Sequence, residues 1–343
     1  MNVSPLVPIY IKYQSIFAEK KKIVYLCAKV YLFGYYHNRL ELFTMRRFFA
    51  FAAILIGFVA CQNDTERMDV TVGDLEVKVA VTVPESRAGS HEGIFQSGLL
   101  GDSLTMRYIL QIYYTDPETK TSIDPIRLVE YSDDKGVVFE VRLAPGRDYK
   151  FVAWADVVDG VDGGDKHYDT ENFEQITIID DRWNAMDETR DAYTAADSVL
   201  NFNSASTISL SLRRPNAKLR VVTTDWADDA ADEVTVTYTT PHRTTFNALT
   251  GLVGDAITPI TPKVHTYTLS NVYNESSDRT IFSDYFFAGD NDNVKFNMVV
   301  KKNGSVVANH QFNTEISVNS NYLTTIKGKL LTGGSSSSES QEL

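Results

Sequence analysis

Cysteine is almost missing from this chain of 343 residues, which has only Cys27 and Cys61. A disulfide framework is excluded as the source of its stability, and so is a zinc site built on paired thiolates. Histidine is equally sparse. His37, His91, His167, His242, His265 and His310 are scattered, the nearest two standing 23 residues apart, so no metal-binding spacing appears. A serine nucleophile elbow, a phosphate loop and a dinucleotide fingerprint are also missing, and the expectation is a non-enzyme without a cofactor. Positive charge is short as well. The chain carries a net −12, and residues 1–60 hold eight of the 33 basic residues but only two of the 45 acidic ones, leaving 25 basic against 43 acidic, net −18, for the remainder. A surface so acidic repels phosphate backbones and excludes nucleic acid as a partner.

Long apolar runs are lacking too, and the one that comes nearest is informative. Phe48 to Ala60 is thirteen residues without a charge, short of the roughly 20 apolar residues of a membrane span. It follows Met45-Arg46-Arg47 and ends at Ala60-Cys61. A short basic region, an apolar core and a small residue before the cut describe a secretory signal peptide over residues 45–60. Phe58-Val59-Ala60-Cys61 resembles the lipobox read by lipoprotein signal peptidase, with Phe58 where most such boxes carry Leu. That resemblance implies cleavage between Ala60 and Cys61 and diacylglycerol on the Cys61 sulfur, since two acyl chains anchor stably and one does not. An ordinary signal peptide with a chance cysteine is the other reading. Residues 61–69, with Asp64 and Glu66, read as an acidic tether. Residues 1–44 are Tyr-rich and basic, and the expectation is that translation starts at Met45 and these are a mis-called extension, the alternative being a cytoplasmic leader. Cys27 lies in that part, so no disulfide is expected within the mature chain.

From about residue 70 the pattern becomes strict alternation. Val70, Val72, Leu75, Val77, Val79, Val81 and Val83 give one strand with an apolar face. Tyr108 to Tyr114, Phe139 to Leu143, Tyr149 to Ala153 and Ile208 to Leu212 follow the same rule. Past Arg213-Arg214-Pro215 a second series starts with "AKLRVVTTDW", and "NVKFNMVVKKNGSVVANHQF" predicts a hairpin turning at Asn303-Gly304. Short strands at regular spacing predict an all-β chain of two sandwich domains, 70–213 and 214–332. Asp180 to Phe202 reads as a long connection with a helical turn, and 333–343 ("GGSSSSESQEL") as a flexible tail.

Two weaker signals remain. Asp159, Asp162 and Asp165 in "ADVVDGVDGGDKHYD" supply oxygens of the kind calcium takes, but lack its every-second-residue spacing, and a solvated loop is the plainer reading. Trp154, Trp183 and Trp226 suit either a sandwich core or stacking on sugar rings.

Taken together, the lipobox, the first strand ending in "VPESRAGS", "LAPGRDYKFVAWAD", "RRPNAKLRVVTTDW" and "NYLTTIKGKLLT" resemble a fimbrillin over residues 61–332. Fimbrillins are the lipoprotein-derived type V pilins and their accessory subunits. The resemblance implies two transthyretin-like sandwiches, export to the outer membrane surface, cutting after an arginine by a trypsin-like protease, and assembly with other fimbrial subunits by strand exchange. It places the cut between Arg87 and Ala88 and makes Leu75, Val77, Val79, Val81 and Val83 the exchanged strand; Arg67 precedes that strand, so cutting there releases nothing of use. Nothing past residue 332 alternates, so a separate donor strand is missing, which implies an accessory or tip subunit. The alternative is a surface lipoprotein that never polymerises and binds glycan or host protein.

Overall fold

The computed structural model describes residues 74–84, 93–101, 103–115, 124–227, 229–256, 263–269, 278–332 and 336–342. The signal peptide, lipobox and tether, as well as Val70 and Val72, lie outside the described residues. Among the described residues there is no α-helix, only three short 3-10 turns. Nine strands precede Arg213: β1 (Leu75–Thr82), β2 (Thr105–Tyr114), β3 (Ile126–Ser132), β4 (Gly136–Leu143), β5 (Arg147–Val158), β6 (Tyr168–Asp169), β7 (Ile176–Ile178), β8 (Ala192–Phe202) and β9 (Ser206–Ser211). Ten follow: β10 (Asn216–Thr223), β11 (Glu233–Tyr238), β12 (Thr245–Asn247), β13 (Leu252–Val253), β14 (Val264–Thr268), β15 (Arg279–Phe287), β16 (Asp292–Lys302), β17 (Ser305–Val318), β18 (Tyr322–Gly328) and β19 (Ser336–Glu342).

Two sandwiches result. In the first, the sheet β4-β1-β9 faces the sheet β3-β2-β5-β8 across a core of Val77, Val79, Val81, Tyr108, Leu110, Phe151 and their neighbours. In the second, β15-β10-β18-β19 faces β14-β11-β16-β17. The expected hairpin is present: β16 and β17 pair antiparallel, and Asn303 (φ 48°) and Gly304 (φ 77°) are both left-handed, as a type I′ turn requires.

The two sandwiches pack against each other across Pro215. Residues 70–343 form one compact unit. Ile109, Val152, Trp154, Tyr168 and Ile176 of the first half belong to the core that fills the second. A small sheet, β13-β12-β7-β6, joins strands from both sides of Pro215, with Phe246 opposite Ile176. The one-sided alternation expected for β2 and β5 fails for the same reason. Tyr108 and Leu110 face one core and Ile109 the other, so β2 is buried from Thr105 to Ile112. A sheet covered on both faces loses the polar side that alternation needs.

Two other expectations are corrected. The connection 180–202 ends in an eleven-residue strand, β8, because its polar residues sit on a sheet edge where one flank is solvated. The tail is not a free end: β19 pairs antiparallel with β18, from Ser336 opposite Gly328 to Glu342 opposite Tyr322. Backbone pairing alone forms this strand, since Ser336, Ser337, Ser338, Ser340 and Gln341 are all exposed.

Candidate functional site

The row of valines read from the sequence is the middle strand of its sheet. β1 pairs antiparallel with β4, Val79 opposite Phe139, and parallel with β9, Val79 opposite Ile208. Val77, Val79 and Val81 are completely buried and Val83 nearly so, while Leu75 is half-buried at the entrance. Their neighbours are Phe139, Val141 and Leu143 on one flank and Ile208, Leu210 and Leu212 on the other. Burying one valine contributes about 1.5–3 kcal/mol, so this strand is a principal support of the first core. The outward residues make surface contacts only, Lys78 pairing with Glu140 at 2.9 Å with both side chains more than half exposed.

The end of β1 is tightly gripped. Val83 N–H donates to Lys135 C=O and Leu212 N–H to Thr82 C=O, each at 2.8 Å. Gly136 lies so close that a Cβ there would stand 2.5 Å from Val81 O, which explains the absence of a side chain. The chain leaves the sheet at Pro84, which is exposed. Arg87 and Ala88, the expected cut site, lie outside the described residues, as do Ala60 and Cys61.

Where the described chain resumes, a buried cluster fixes it. Ile94 N–H donates to Asp191 Oδ2 at 3.1 Å, and Arg214 holds the same carboxylate through Nε (2.7 Å) and Nη2 (2.9 Å). Tyr193 OH donates to Asp191 Oδ2 at 2.6 Å. Burial works against the Arg214 charge, but Asp191 outweighs it and holds the guanidinium well above its usual range. Burial, then the adjacent Asp191 charge, pushes the Tyr193 hydroxyl far up, so it stays a donor. Gly93 (φ 91°) is required, since a Cβ would meet Arg214 Nη2 at 2.3 Å. The segment carrying Arg87 is thus bounded by two fixed points, the end of β1 and the Gly93–Ile94 anchor. Sequence reading missed Asp191, Tyr193 and Arg214; its only signal was an Arg-Arg-Pro between two strands.

Part of the acidic loop is held by internal partners. Arg107 donates to Asp156 (2.9 and 2.7 Å) and to Asp165 (2.8 Å), while Lys166 donates to Asp159 at 2.5 Å. Asp162 is exposed with φ 65°. Among the described residues no group of three or more His, Cys, Asp or Glu is placed to hold a metal ion. Of the tryptophans, Trp154 and Trp183 are core residues, and Trp226 is half-buried beneath the Arg279 guanidinium, 3.9 Å from its ring centre.

The family described as "Family of unknown function (DUF6562)" matches residues 67–339. No curated protein matches the chain. Among solved structures, a "putative cell adhesion protein" from Bacteroides ovatus is similar at 12% identity and TM-score 0.49, covering 79% of this chain and 98% of that one. The tip fimbrial protein Mfa3 from Porphyromonas gingivalis, truncated at its C-terminus, is similar at 12% identity and TM-score 0.44, covering 79% and 100%. A fimbrial assembly protein from Parabacteroides distasonis is similar at 10% identity and TM-score 0.42, covering 79% and 99%. Identity this low does not carry a function from one chain to another.

Proposed function

We propose that this chain, which belongs to the DUF6562 family of unknown function, is a non-catalytic cell-surface fimbrial subunit that accepts a strand from a neighbouring subunit after losing its own first strand. One observation carries the reading: β1, the first strand among the described residues, is also the central strand of its sheet, flanked by β4 and β9. Removing it opens two unpaired edges at once, on either side of an apolar slot the width of one strand. An open sheet edge beside buried valine positions is a strong acceptor for another chain. In this reading Cys61 carries the lipid that holds the precursor at the outer membrane, and cutting between Arg87 and Ala88 frees β1 while the Asp191–Arg214 anchor retains the new terminus.

Neither β18 nor β19 is suited to donation, and on these two strands we read an accessory or tip position over a shaft position. A shaft subunit must also donate a strand with an apolar face. β19, with its serines and no apolar residue among Ser336–Glu342, cannot fill the slot that Val77, Val79 and Val81 leave. β18 lies between β10 and β19 with Leu323 and Ile326 buried, so its release would open the second core.

The test is mass spectrometry of the N-terminus of protein taken from the cell surface, before and after trypsin-like proteolysis, alongside Arg87→Ala. Ala88 as the N-terminus of high-mass material, lost in the Arg87→Ala variant, is the expected result. A diacylated Cys61 as the sole N-terminus would instead fit a lipoprotein that keeps β1, never polymerises and binds glycan or host protein. The complete pairing of β1 on both flanks favours that second reading for any uncut chain.

A further inference from the structure

We propose a second binding site, an edge of β8 that takes up an extended acidic peptide as an added strand. β8 bridges only briefly to Arg213, just past the end of β9. Thr194 and Arg213 exchange backbone hydrogen bonds (2.8 and 2.9 Å), after which the two strands belong to different sheets and splay apart. Because backbone groups alternate along a strand, Ala196 and Ser198 face outward on the same side as Thr194. The Ser198 N–H is capped by its neighbour, Asp197 Oδ1, at 2.8 Å. The N–H and C=O of Ala196 form no ladder on that side with any described residue, and they face a cleft of about 760 Å³ whose far wall is the turn Ala248–Gly251 and strand β13. That volume falls within the range of about 300–1,000 Å³ typical of ligand sites.

Charge identifies the occupant. In a chain of net charge −12, the cleft is lined by Lys150, Arg213, Arg214 and Arg243 against Asp197 and Asp290. Arg214 is committed to Asp191 and Arg243 to Asp292. Lys150 and Arg213 have no ion-pair partner among the described residues, and the Arg213 guanidinium reaches across so that a Cβ on Gly251 would lie 3.6 Å from its Nη2. Leu252 adds an exposed apolar side chain on the far wall, 67% accessible. Open backbone groups on one wall, two available cations and an apolar rim suit a peptide whose carboxylates alternate with aliphatic side chains. A neutral sugar would find no exposed aromatic ring here, since Phe246, the aromatic residue in the lining, is buried.

The probe is the fluorescein-labelled peptide Ser-Val-Glu-Val-Glu-Val-Glu-Val-Ser, titrated with the full chain by fluorescence anisotropy beside its Lys-for-Glu counterpart. Saturable binding of the Glu peptide, at least about tenfold tighter than the Lys peptide, is expected. Arg213→Glu should weaken it by at least about tenfold. Ala196→Pro removes the outward N–H but no β5–β8 ladder bond, so it should abolish binding while leaving the circular dichroism melt in place. Equal binding of both peptides, no saturation up to about 1 mM, or full binding by Ala196→Pro would overturn the proposal. Displacement of the peptide by oligogalacturonate at lower concentration than by unlabelled peptide would assign the cleft to an acidic glycan instead. A dimer in sedimentation that the peptide does not dissociate would assign it to a second copy of the chain.

Discussion

At the scale of single residues, the second core is built around a charge. Asp284 is fully buried and accepts from Arg190 Nη1 (2.5 Å), Tyr285 N–H (2.8 Å), Trp183 Nε1 (2.9 Å) and Tyr238 OH (3.1 Å). Burial alone would raise its pKa, but Arg190 and the neighbouring His265 hold it below the usual carboxylate range. Two imidazoles nearby have less support. His242 stands edge-on to Tyr238 (4.6 Å) and Trp183 (5.2 Å), with neither ring nitrogen bonded, and burial lowers its pKa to about 4. His167 is also lowered to about 4, again by burial first. Each stays neutral in the fold down to about pH 4 but takes a proton in the unfolded chain from pH 6.5 downward. Over that window the unfolded state binds more protons, so stability falls with falling pH, by an amount on the order of a few kcal/mol for the pair. His242→Phe, which keeps the aromatic contacts, should flatten the loss measured by urea unfolding at pH 7, 5.5 and 4.5; an unchanged slope would remove His242 from the account. None of this was legible in the sequence. Arg190 and Asp284 stand 94 residues apart, and no spacing rule connects them.

At the scale of elements, strands were legible in proportion to how one-sided their burial is. β1, β4 and β9 have one face on the core and one in water, and alternation found all three. β8 has its polar residues where the sheet edge is solvated, so its pattern resembles a loop. β19 has no pattern at all, only backbone. Its register depends on Asp225, whose carboxylate accepts from Leu331 N–H (3.1 Å), Thr332 N–H (2.8 Å) and Thr332 Oγ1 (2.6 Å). Burial would raise the Asp225 pKa, but the hydrogen bonds from Thr223 and from Thr332 bring it to about 2, so the clasp is charged at any ordinary pH. A strand that buries no apolar side chain adds little to stability, because each backbone hydrogen bond is worth about 0.5–1.5 kcal/mol net and ordering a residue costs about as much. Ending the chain after Thr332 should therefore lower Tm by no more than a few degrees, and the amides of Ser336–Glu342 should exchange fastest among the strands of their sheet. A loss of cooperative folding on truncation would show that β19 carries weight its composition does not reveal.

At the scale of the whole molecule, the all-β class and its two sandwiches were legible, but the packing that joins them was not. Two strand series on either side of Pro215 predict two sandwich domains and say nothing of what lies between them. Trp154, whose ring contacts Tyr168 at 5.4 Å and Phe287 at 6.5 Å, shows that packing: its side of β5 belongs to the core of the second half. Alternation cannot reveal a sheet with both faces covered, and the small sheet that closes over it uses strands of two and three residues, below what pattern reading resolves. Shared packing predicts one unfolding transition, with circular dichroism and tryptophan fluorescence coincident in denaturant. Two separated transitions would show that the two sandwiches unfold independently. The central strand has one more consequence, for direction. With a parallel neighbour on one side and an antiparallel one on the other, the slot left by β1 offers any replacement one ladder of each kind, whichever way that replacement runs. The buried row Val77-Val79-Val81 reads the same forwards and backwards. Polarity must then be set at one end, where Gly136 leaves space for a backbone carbonyl, filled by that of Val81 while β1 is in place, so a methyl group placed there by Gly136→Ala should cost selectivity between the two directions before it costs affinity.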